Sequence, residues 1–386
     1  MVAVLPCDVA IVGGGLAGGL IALALAERCP ALDVRLIESG DRIGGNHLWP
    51  FFASDIDADD DWIVAPLIGH RWPAHRVRFP AHERRIGTGY RTIESARLDA
   101  VVRAALGAKA MTGCKALAAN QHAVVLADGR RIEARGVIDA RGAGDLSLLD
   151  LGWRKTVGRE LELATPHDID APVIVDATVA QEDGYRFVCS VPFSATRMVV
   201  EECCYSDTRA IDRDGMVARI DAYAAARGWQ VTAVRREEAG ALPVVQDGDF
   251  EGYWQSGGHN VAKAGMRAGL FHPTTGDALP DAVRTAALIA RQHDYSGAAL
   301  HDLLYGAARA AWARRGFYRM LARMLFRAAE PEARYKLPER FYRLDPALVG
   351  RFHAGRSTIG DQMRILTGKP PVPIGRAITA ILGRTP

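Results

Sequence analysis

Cysteine is scarce and unpatterned. The six in 386 residues, Cys7, Cys29, Cys114, Cys189, Cys203 and Cys204, include no C-x-x-C pair, which argues against a disulfide scaffold or a zinc ribbon and for a reducing, cytoplasmic setting. An excess of one charge is also missing. Lys+Arg number 48 against 45 Asp+Glu, a net charge of +3, too balanced for a protein that binds nucleic acid by neutralising phosphates. The 11 histidines offer no H-E-x-x-H or comparable spacing, so no metal is expected, and His70, His75 and His82 read as surface or loop residues. No repeat or low-complexity tract is present. Met1 to Asp8 holds no Lys or Arg, the wrong start for a secretory signal peptide. Long apolar runs are limited to Val9 to Ala26, 18 uncharged residues that approach a membrane span at about 1.5 Å per residue. Gly13, Gly14, Gly15, Gly18 and Gly19 within it instead mark a strand turning tightly into a helix. A soluble or peripheral protein is expected.

What is present is a globular composition, 49% hydrophobic and 24% charged, with room for two or three domains. The chain opens as βαβ: an apolar run Val9 to Val12, a glycine turn, a helix to about Arg28 and a strand Asp33 to Glu38. The aromatic stretch with Trp49, Phe51, Phe52, Trp62 and Trp72 reads as loops and short helices. A helix is expected from near Thr92, with Leu98, Val101, Val102 and Leu106 at helical spacing. Ala123 to Ala127, Asp128-Gly129, Arg131 to Ala134 and Val137 to Ala140 read as a hairpin feeding a strand. From Gly158 to Trp254 the texture is that of an antiparallel sheet, with runs at Val173 to Val179, Tyr185 to Val191, Arg197 to Cys204 and Val231 to Arg235, and a helix from about Gly215 to Arg227. From about Pro280 the chain reads as helical, with breakers at Pro331, Pro338, Pro346 and Pro370-Pro371. The expected fold is α/β: a discontinuous Rossmann-type domain (1–157 and 259–300), an inserted antiparallel-sheet substrate domain (158–258) and a helical C-terminal region (301–386).

Gly13-x-Gly15-x-x-Gly18 behind Val9-Ala10-Ile11-Val12 satisfies the dinucleotide fingerprint, in which the glycines allow the tight turn, the approach of a pyrophosphate and helix-on-strand packing. Leu16 and Ala17 complete the turn, and Glu38, twenty residues beyond Gly18, is placed to accept from ribose hydroxyls. Val137-Ile138-Asp139-Ala140-Arg141-Gly142 resembles the segment that passes near the cofactor in flavoproteins of the para-hydroxybenzoate hydroxylase type. Arg97 matches that superfamily's flavin-contacting arginine. Gly265 to Asp277 resembles its third flavin motif, with Gly276-Asp277 at the ribityl chain and the next helix aimed at the flavin. That likeness implies FAD.

The resemblance narrows at Gly44-Gly45-Asn46-His47-x-Trp49, at Asp176-Ala177-Thr178-Val179 with Asp183-Gly184-Tyr185-Arg186-Phe187, and at Phe271-His272-Pro273-Thr274-Thr275-Gly276. Together these are similar to the bacterial lycopene beta-cyclases, over nearly the whole chain. The resemblance implies a redox-neutral closure of both linear ends of lycopene to beta-rings, giving beta-carotene, with reduced FAD required, NADPH as reductant, and Gly45, Asn46 and His47 at the cofactor. It also places an acidic residue at a strand end before a tyrosine, and Glu201 holds that place. The family's Glu-Asp-x-His-Tyr is Glu201-Glu202-Cys203-Cys204-Tyr205 here, so Cys204 inherits no role. Protonating a hydrocarbon double bond needs an acid kept neutral by an apolar pocket. Alternation along the strand puts Glu201 with Val199 and Cys203 and turns Glu202 away. The blander alternative for Glu201 is an edge-strand pair with Arg186 or Arg197.

Six arginines between Arg309 and Arg327, four of them (Arg315, Arg319, Arg323, Arg327) at every fourth residue, suit either a helix lying on anionic lipid at the inner face of the cell membrane or a solvated helix face. The tryptophan-rich stretch suits a polyene tunnel or plain core. Rival functions on this scaffold are a flavin monooxygenase or polyprenoid reductase, and a non-catalytic flavin- or carotenoid-binding protein.

Overall fold

The computed structural model describes residues 4–368 together with Gly375, Arg376 and Thr379. The Pro370-Pro371 breakers and the end of the expected 301–386 region lie outside the described residues. The opening is βαβ, as Val4–Val12, Leu16–Arg28 and Val34–Ile37. Val9 to Val12 are all buried, because the strand lies between parallel neighbours, Val34–Ile37 and Arg131–Asp139, and is covered on both faces. The hairpin partner Ala123–Leu126 is antiparallel to Arg131–Asp139, which runs on unbroken into the parallel pairing. Helices Leu16–Arg28, Ser95–Leu106, Leu279–Ala290 and Gly297–Arg314 supply the apolar layer over one face.

A second seven-stranded sheet holds, in spatial order, Val231–Gly248, Leu149–Leu163, Arg197–Ser206, Tyr185–Pro192, Val173–Asp176, His75–Phe79 and His82–Ile86. Its back face packs on helix Arg213–Ala226 through Val157, Val188, Met198, Val200 and Ile220. Its front face, with Val199, Cys203 and Tyr205, packs on the C-terminal helical layer through Leu325, Phe326, Tyr342 and Val349.

Several expectations need correction. The 157/158 boundary falls inside the strand Leu149–Leu163, whose charged residues (LDLGWRKTVGRELEL) hid it, and the sheet also recruits His75–Ile86 from the preceding segment. The aromatic stretch contributes strands Leu48–Phe52 and Ile68–Trp72, which flank Tyr90–Glu94 in a small antiparallel sheet. Short helical turns lie between them, and the predicted helix starts only at Ser95. His75 is buried, with Nδ1 3.0 Å from the Thr88 carbonyl, and His70 stacks on Phe193 at 4.2 Å.

The arginine stripe is not a free cationic face. Arg315 is buried, donating to Asp281 (2.7 Å) and to the Phe271 carbonyl (3.1 Å). Arg319 lies over the Trp312 ring at 4.0 Å, Arg323 donates to Asp247 at 2.7 Å, and Arg327 bonds Gln246 and Asp150. Side chains four apart on a helix share one face, and here that face meets the sheet and the Leu279–Ala290 helix rather than water. These pairs clamp the helical layer over the front of the second sheet. Removing one partner of a buried pair strands the other charge, so Arg315→Ala should cost about 3 kcal/mol in denaturant unfolding; a loss below about 0.5 kcal/mol would contradict the clamp.

Candidate active site and cofactor cradle

Two sites are built, joined by one loop. The first is the fingerprint turn. Gly13 has φ +103°, and a Cβ there would meet the Ala140 carbonyl group at 2.7 Å. A Cβ on Gly18 would lie 1.9 Å from the Gly13 oxygen. At Gly15, by contrast, the position of a Cβ is open space. Gly15 precedes the helix Leu16–Arg28 with no side-chain cap and no acid in the first turn, so the N–H groups of Leu16, Ala17 and Gly18 face outward at the positive helix end, ready for an anion. Glu38 stands at the adjacent strand end and accepts from the N–H of Gly14 and of Gly40, both at 2.7 Å. These residues fit a dinucleotide.

Asp139 is no surface turn. It is fully buried, its carboxylate bonded by Arg141 at 2.9 and 2.8 Å with Arg267 3.5 Å away. Burial opposes its ionisation, but Arg141 and Arg267 outweigh that and hold it below the usual range. It stays beside the fingerprint turn, since the Ala140 N–H donates to the Val12 carbonyl at 2.7 Å. Arg97 is exposed on the helix Ser95–Leu106 and donates to the Pro66 carbonyl at 2.9 Å; it joins no ion pair among the described residues.

The second site is an apolar cavity of about 290 Å³ between the front of the second sheet and the C-terminal helices. Phe51, Phe52, Tyr185, Phe187 and Tyr205 are in its wall; Trp49, Trp62 and Trp72 pack in the cores instead. The Tyr185 ring lies 4.9 Å from Phe187 and 5.5 Å from Tyr205.

Glu201 faces this cavity with Cys203, whose thiol donates to Glu201 Oε1 at 3.1 Å. Burial raises its carboxyl above the ordinary value, against the pull of Arg154. Arg154 is itself engaged, donating to Asp277 at 2.8 and 3.4 Å. Burial opposes the charge on Asp277 as well, yet Arg154 and the Thr275 hydroxyl keep it ionised, below the usual range. Asp277 therefore lies at the cavity wall with Arg154. Gly276 before it has φ +76° and a Cβ there would come within 2.8 Å of Leu242 Cβ. His272 fixes the same segment, its Nδ1 accepting the Thr274 N–H at 3.2 Å and its Nε2 lying 3.0 Å from the Phe352 carbonyl.

Glu202 points the other way, as strand alternation requires. It is fully buried and takes Arg186 at 3.0 Å and Arg219 at 2.8 Å. Arg197 pairs with Glu160 at 2.6 Å, so neither arginine weighed against Glu201 reaches it.

Sequence reading missed Arg154 and Asp55. Asp55 is only 4% exposed, accepts the Phe52 N–H at 2.9 Å, leaves Oδ1 without a partner, and is pushed up to about 7 by burial. Both sat in stretches read as loop or unassigned, and neither belongs to a local motif. It also missed that Cys189, Glu201 and Cys203 bring three possible ligand atoms within 4.8 Å of one another. Burial keeps the Cys203 thiol protonated, a poor metal ligand.

The loop Gly44 to His47 connects the two sites. The Gly44 N–H donates to the Gly14 carbonyl at 2.7 Å, Gly45 has φ +63°, Asn46 Nδ2 donates to the Glu237 carbonyl at 2.9 Å, and the His47 N–H donates to Ser95 Oγ at 3.1 Å. Burial, then Arg236, lower the proton affinity of His47.

Residues 8–379 match the family described as Lycopene cyclase protein. The chain is 41% identical over 375 residues to the lycopene beta-cyclase of Pantoea ananas, covering 97% of this chain and 98% of that one. It is 43% identical over 381 residues to the lycopene beta-cyclase of Paracoccus sp. (strain N81106 / MBIC 01143), covering 97% of each. Among solved structures, a geranylgeranyl bacteriochlorophyll reductase-like protein from Thermoplasma acidophilum superposes with TM-score 0.63 at 15% identity over 99% of this chain and 100% of that one. The tetrameric form of 2-methyl-3-hydroxypyridine-5-carboxylic acid oxygenase does so with TM-score 0.55 at 14% identity, covering 92% and 98%. The fold is thus that of the para-hydroxybenzoate hydroxylase-like flavoproteins, and with its glycine turn, its HPTTG segment and Glu201 in an apolar cavity the chain belongs to the lycopene cyclase family.

Proposed function

We propose that this chain is a lycopene beta-cyclase, closing both linear ends of lycopene to beta-rings without net redox change, with Glu201 as the acid, FAD in the glycine cradle and NADPH as reductant. The observation that carries this reading is Glu201, a carboxyl held toward its neutral form at the wall of an apolar cavity, in a chain of this family. The Glu201 O–H adds its proton to the terminal double bond. The resulting cation is held by the faces of Tyr185, Phe187 and Tyr205, since aromatic rings attract positive charge on their faces, and the apolar wall excludes the water that would trap it. A cavity of about 290 Å³ takes one chain end at a time.

The fingerprint turn, Glu38, Asp139 beside that turn and the loop with Gly45, Asn46 and His47 would hold FAD, with Arg97, Gly276 and Asp277 at its flavin end. Reduced FAD supplies an electron-rich ring that stabilises nearby positive charge.

Lycopene dissolves in bilayers, so the cavity must meet one. No helix among the described residues is long and apolar enough to cross a membrane. The supported contact is the helix Ile359–Leu366, which exposes Ile359 (80%), Met363 (58%) and Leu366 (40%). Those positions share one helix face, and Leu366 also lines the cavity. Arg351 holds the helix to the body through Asp361 at 2.7 and 2.6 Å. With its arginine stripe engaged inside the protein, the chain would rest on the inner face of the cell membrane through this helix.

In bacteria that accumulate lycopene, pigment chromatography should find a bicyclic product with the wild type and none with Glu201→Gln, which keeps its flavin; normal cyclisation by the variant removes Glu201 from the mechanism. Because a raised pKa extends the neutral form upward, initial rates should hold through the usual carboxylate range and fall as pH rises through the Glu201 value. Gly15→Val fits the open space and the extended backbone there (φ −68°, ψ −169°), so its melting temperature should stay near that of the cofactor-free wild type while flavin absorbance is lost from the purified protein. Ile359, Met363 and Leu366 changed together to serine should weaken liposome flotation at least about tenfold, given roughly 1.5–3 kcal/mol per fully buried side chain, with flavin content unchanged.

A further inference from the structure

Glu201 has a second carboxyl across the sheet. Gly158, on the long central strand Leu149–Leu163, stands opposite Glu201 on one side and opposite Glu238, on the edge strand Val231–Gly248, on the other. Directly opposed residues share a face, so both glutamates rise from the same face about 10 Å apart at the backbone, two strand spacings. The position between them carries no side chain. A Cβ built on Gly158 would lie 3.3 Å from Glu201 Oε2, which means the Glu201 carboxyl leans into the gap.

Glu238 is not in the cavity wall. It sits where the cofactor loop meets the sheet, accepting the Leu48 N–H and Arg236 Nη1, each at 3.1 Å. Burial and then the charge of Glu201 push its carboxyl up to about 7, against the pull of Arg236. The groups around it are few: Arg236 on its own strand, shared with Glu160 of the central strand at 3.5 Å, Glu201 on the acid strand, and His47 on the loop beside Arg236. Arg154, on the same face as Gly158 but four residues, about 13 Å, along the strand, is held by Asp277.

We propose that Glu238 is the proton-holding partner of Glu201: the pair shares a proton across the Gly158 gap, and Glu238 reloads Glu201 after each ring closure. The inference rests on the cyclase reading above. In the chemical step the Glu201 O–H bond breaks as a C–H bond forms on the substrate, leaving a carboxylate; the cyclised cation then loses a ring-carbon proton through a base to solvent, and the electron pair of that C–H bond becomes the ring double bond, so one proton leaves for each that enters. The Glu238 O–H bond then breaks as the Glu201 O–H bond is remade, and a proton from water on the loop side restores Glu238. No electrons change hands. Two like-charged carboxyls in a poorly hydrated site hold one proton more readily than none, and one lycopene requires two protonations, so reloading matters most for the second ring. Glu238 acts through Glu201 and is a positioning residue.

The test is Glu238→Gln in the full-length, FAD-loaded, reduced protein with lycopene in liposomes. Glutamine keeps the acceptor for the Leu48 N–H and has no proton to return. Bound flavin should be unchanged, the rate should fall about tenfold or more, and one-ringed carotene should accumulate. The high-pH limb should move down by about one unit as Glu201 loses its negative neighbour, and Glu238→Asp should recover part of that limb. A wild-type product ratio and pH profile in Glu238→Gln, or a rate that falls only in step with lost flavin, would overturn the proposal. Should that variant fail to fold, Gly158→Ala keeps both carboxyls and puts a methyl between them; it should also accumulate one-ringed product, and a wild-type ratio counts against the pairing. Wild type and Glu201→Gln run alongside. No cyclisation by the wild type would sink the cyclase reading itself, whereas normal wild-type cyclisation with an indifferent Glu238→Gln would sink the pairing alone.

Discussion

Raising the proton affinity of one glutamic acid beside a half-buried arginine is the constraint on which the site depends. Arg154 would by itself draw Glu201 into the charged form. Its guanidinium is taken by Asp277, so burial remains the largest influence on Glu201 and its carboxyl is raised. On the opposite face the logic reverses: Glu202, one residue on, is given Arg186 and Arg219. Two adjacent acids thus meet different partners from a single strand, because alternate side chains enter different environments.

Enclosure follows from the same economy of charge. The arginines of the C-terminal layer are spent on Asp281, Asp247 and Asp150, which holds apolar Leu325 and Phe326 against the sheet. Phe326 fits because Gly152 leaves room; a Cβ there would come within 2.3 Å of its ring. The helical layer over the cavity is thus held in place by the residues that look most water-seeking in the sequence. Leu366, at the end of the helix Ile359–Leu366, is in the cavity wall.

The loop from Gly44 to Leu48 ties the glycine turn to the sheet that carries Glu201. One end is bonded to the fingerprint turn through Gly14, the other to the edge strand through Glu237 and Glu238. Anything bound in the glycine cradle is therefore coupled, through about five residues of backbone, to the row Glu238, Gly158 and Glu201.

Local patterns decided much of this in advance. The glycine turn, its strands and Glu38 could be read because their meaning lies within forty consecutive residues, where backbone sterics and helix polarity act. The alternation that separates Glu201 from Glu202 is equally local. Other features had no local signal. The strand Leu149–Leu163 carries charges that pair only across the sheet, the arginine stripe looks solvated until its partners from distant segments arrive, and Asp55 and Arg154 reach the cavity wall from separated stretches with no motif around either. Sequence by itself determined the opening βαβ unit and its glycine turn, and it separated Glu201 from Glu202 by strand alternation. Only the tertiary structure decided which charges are cancelled, which face water and which carboxyl has its proton affinity raised, because those outcomes depend on burial and on partners far away in the chain.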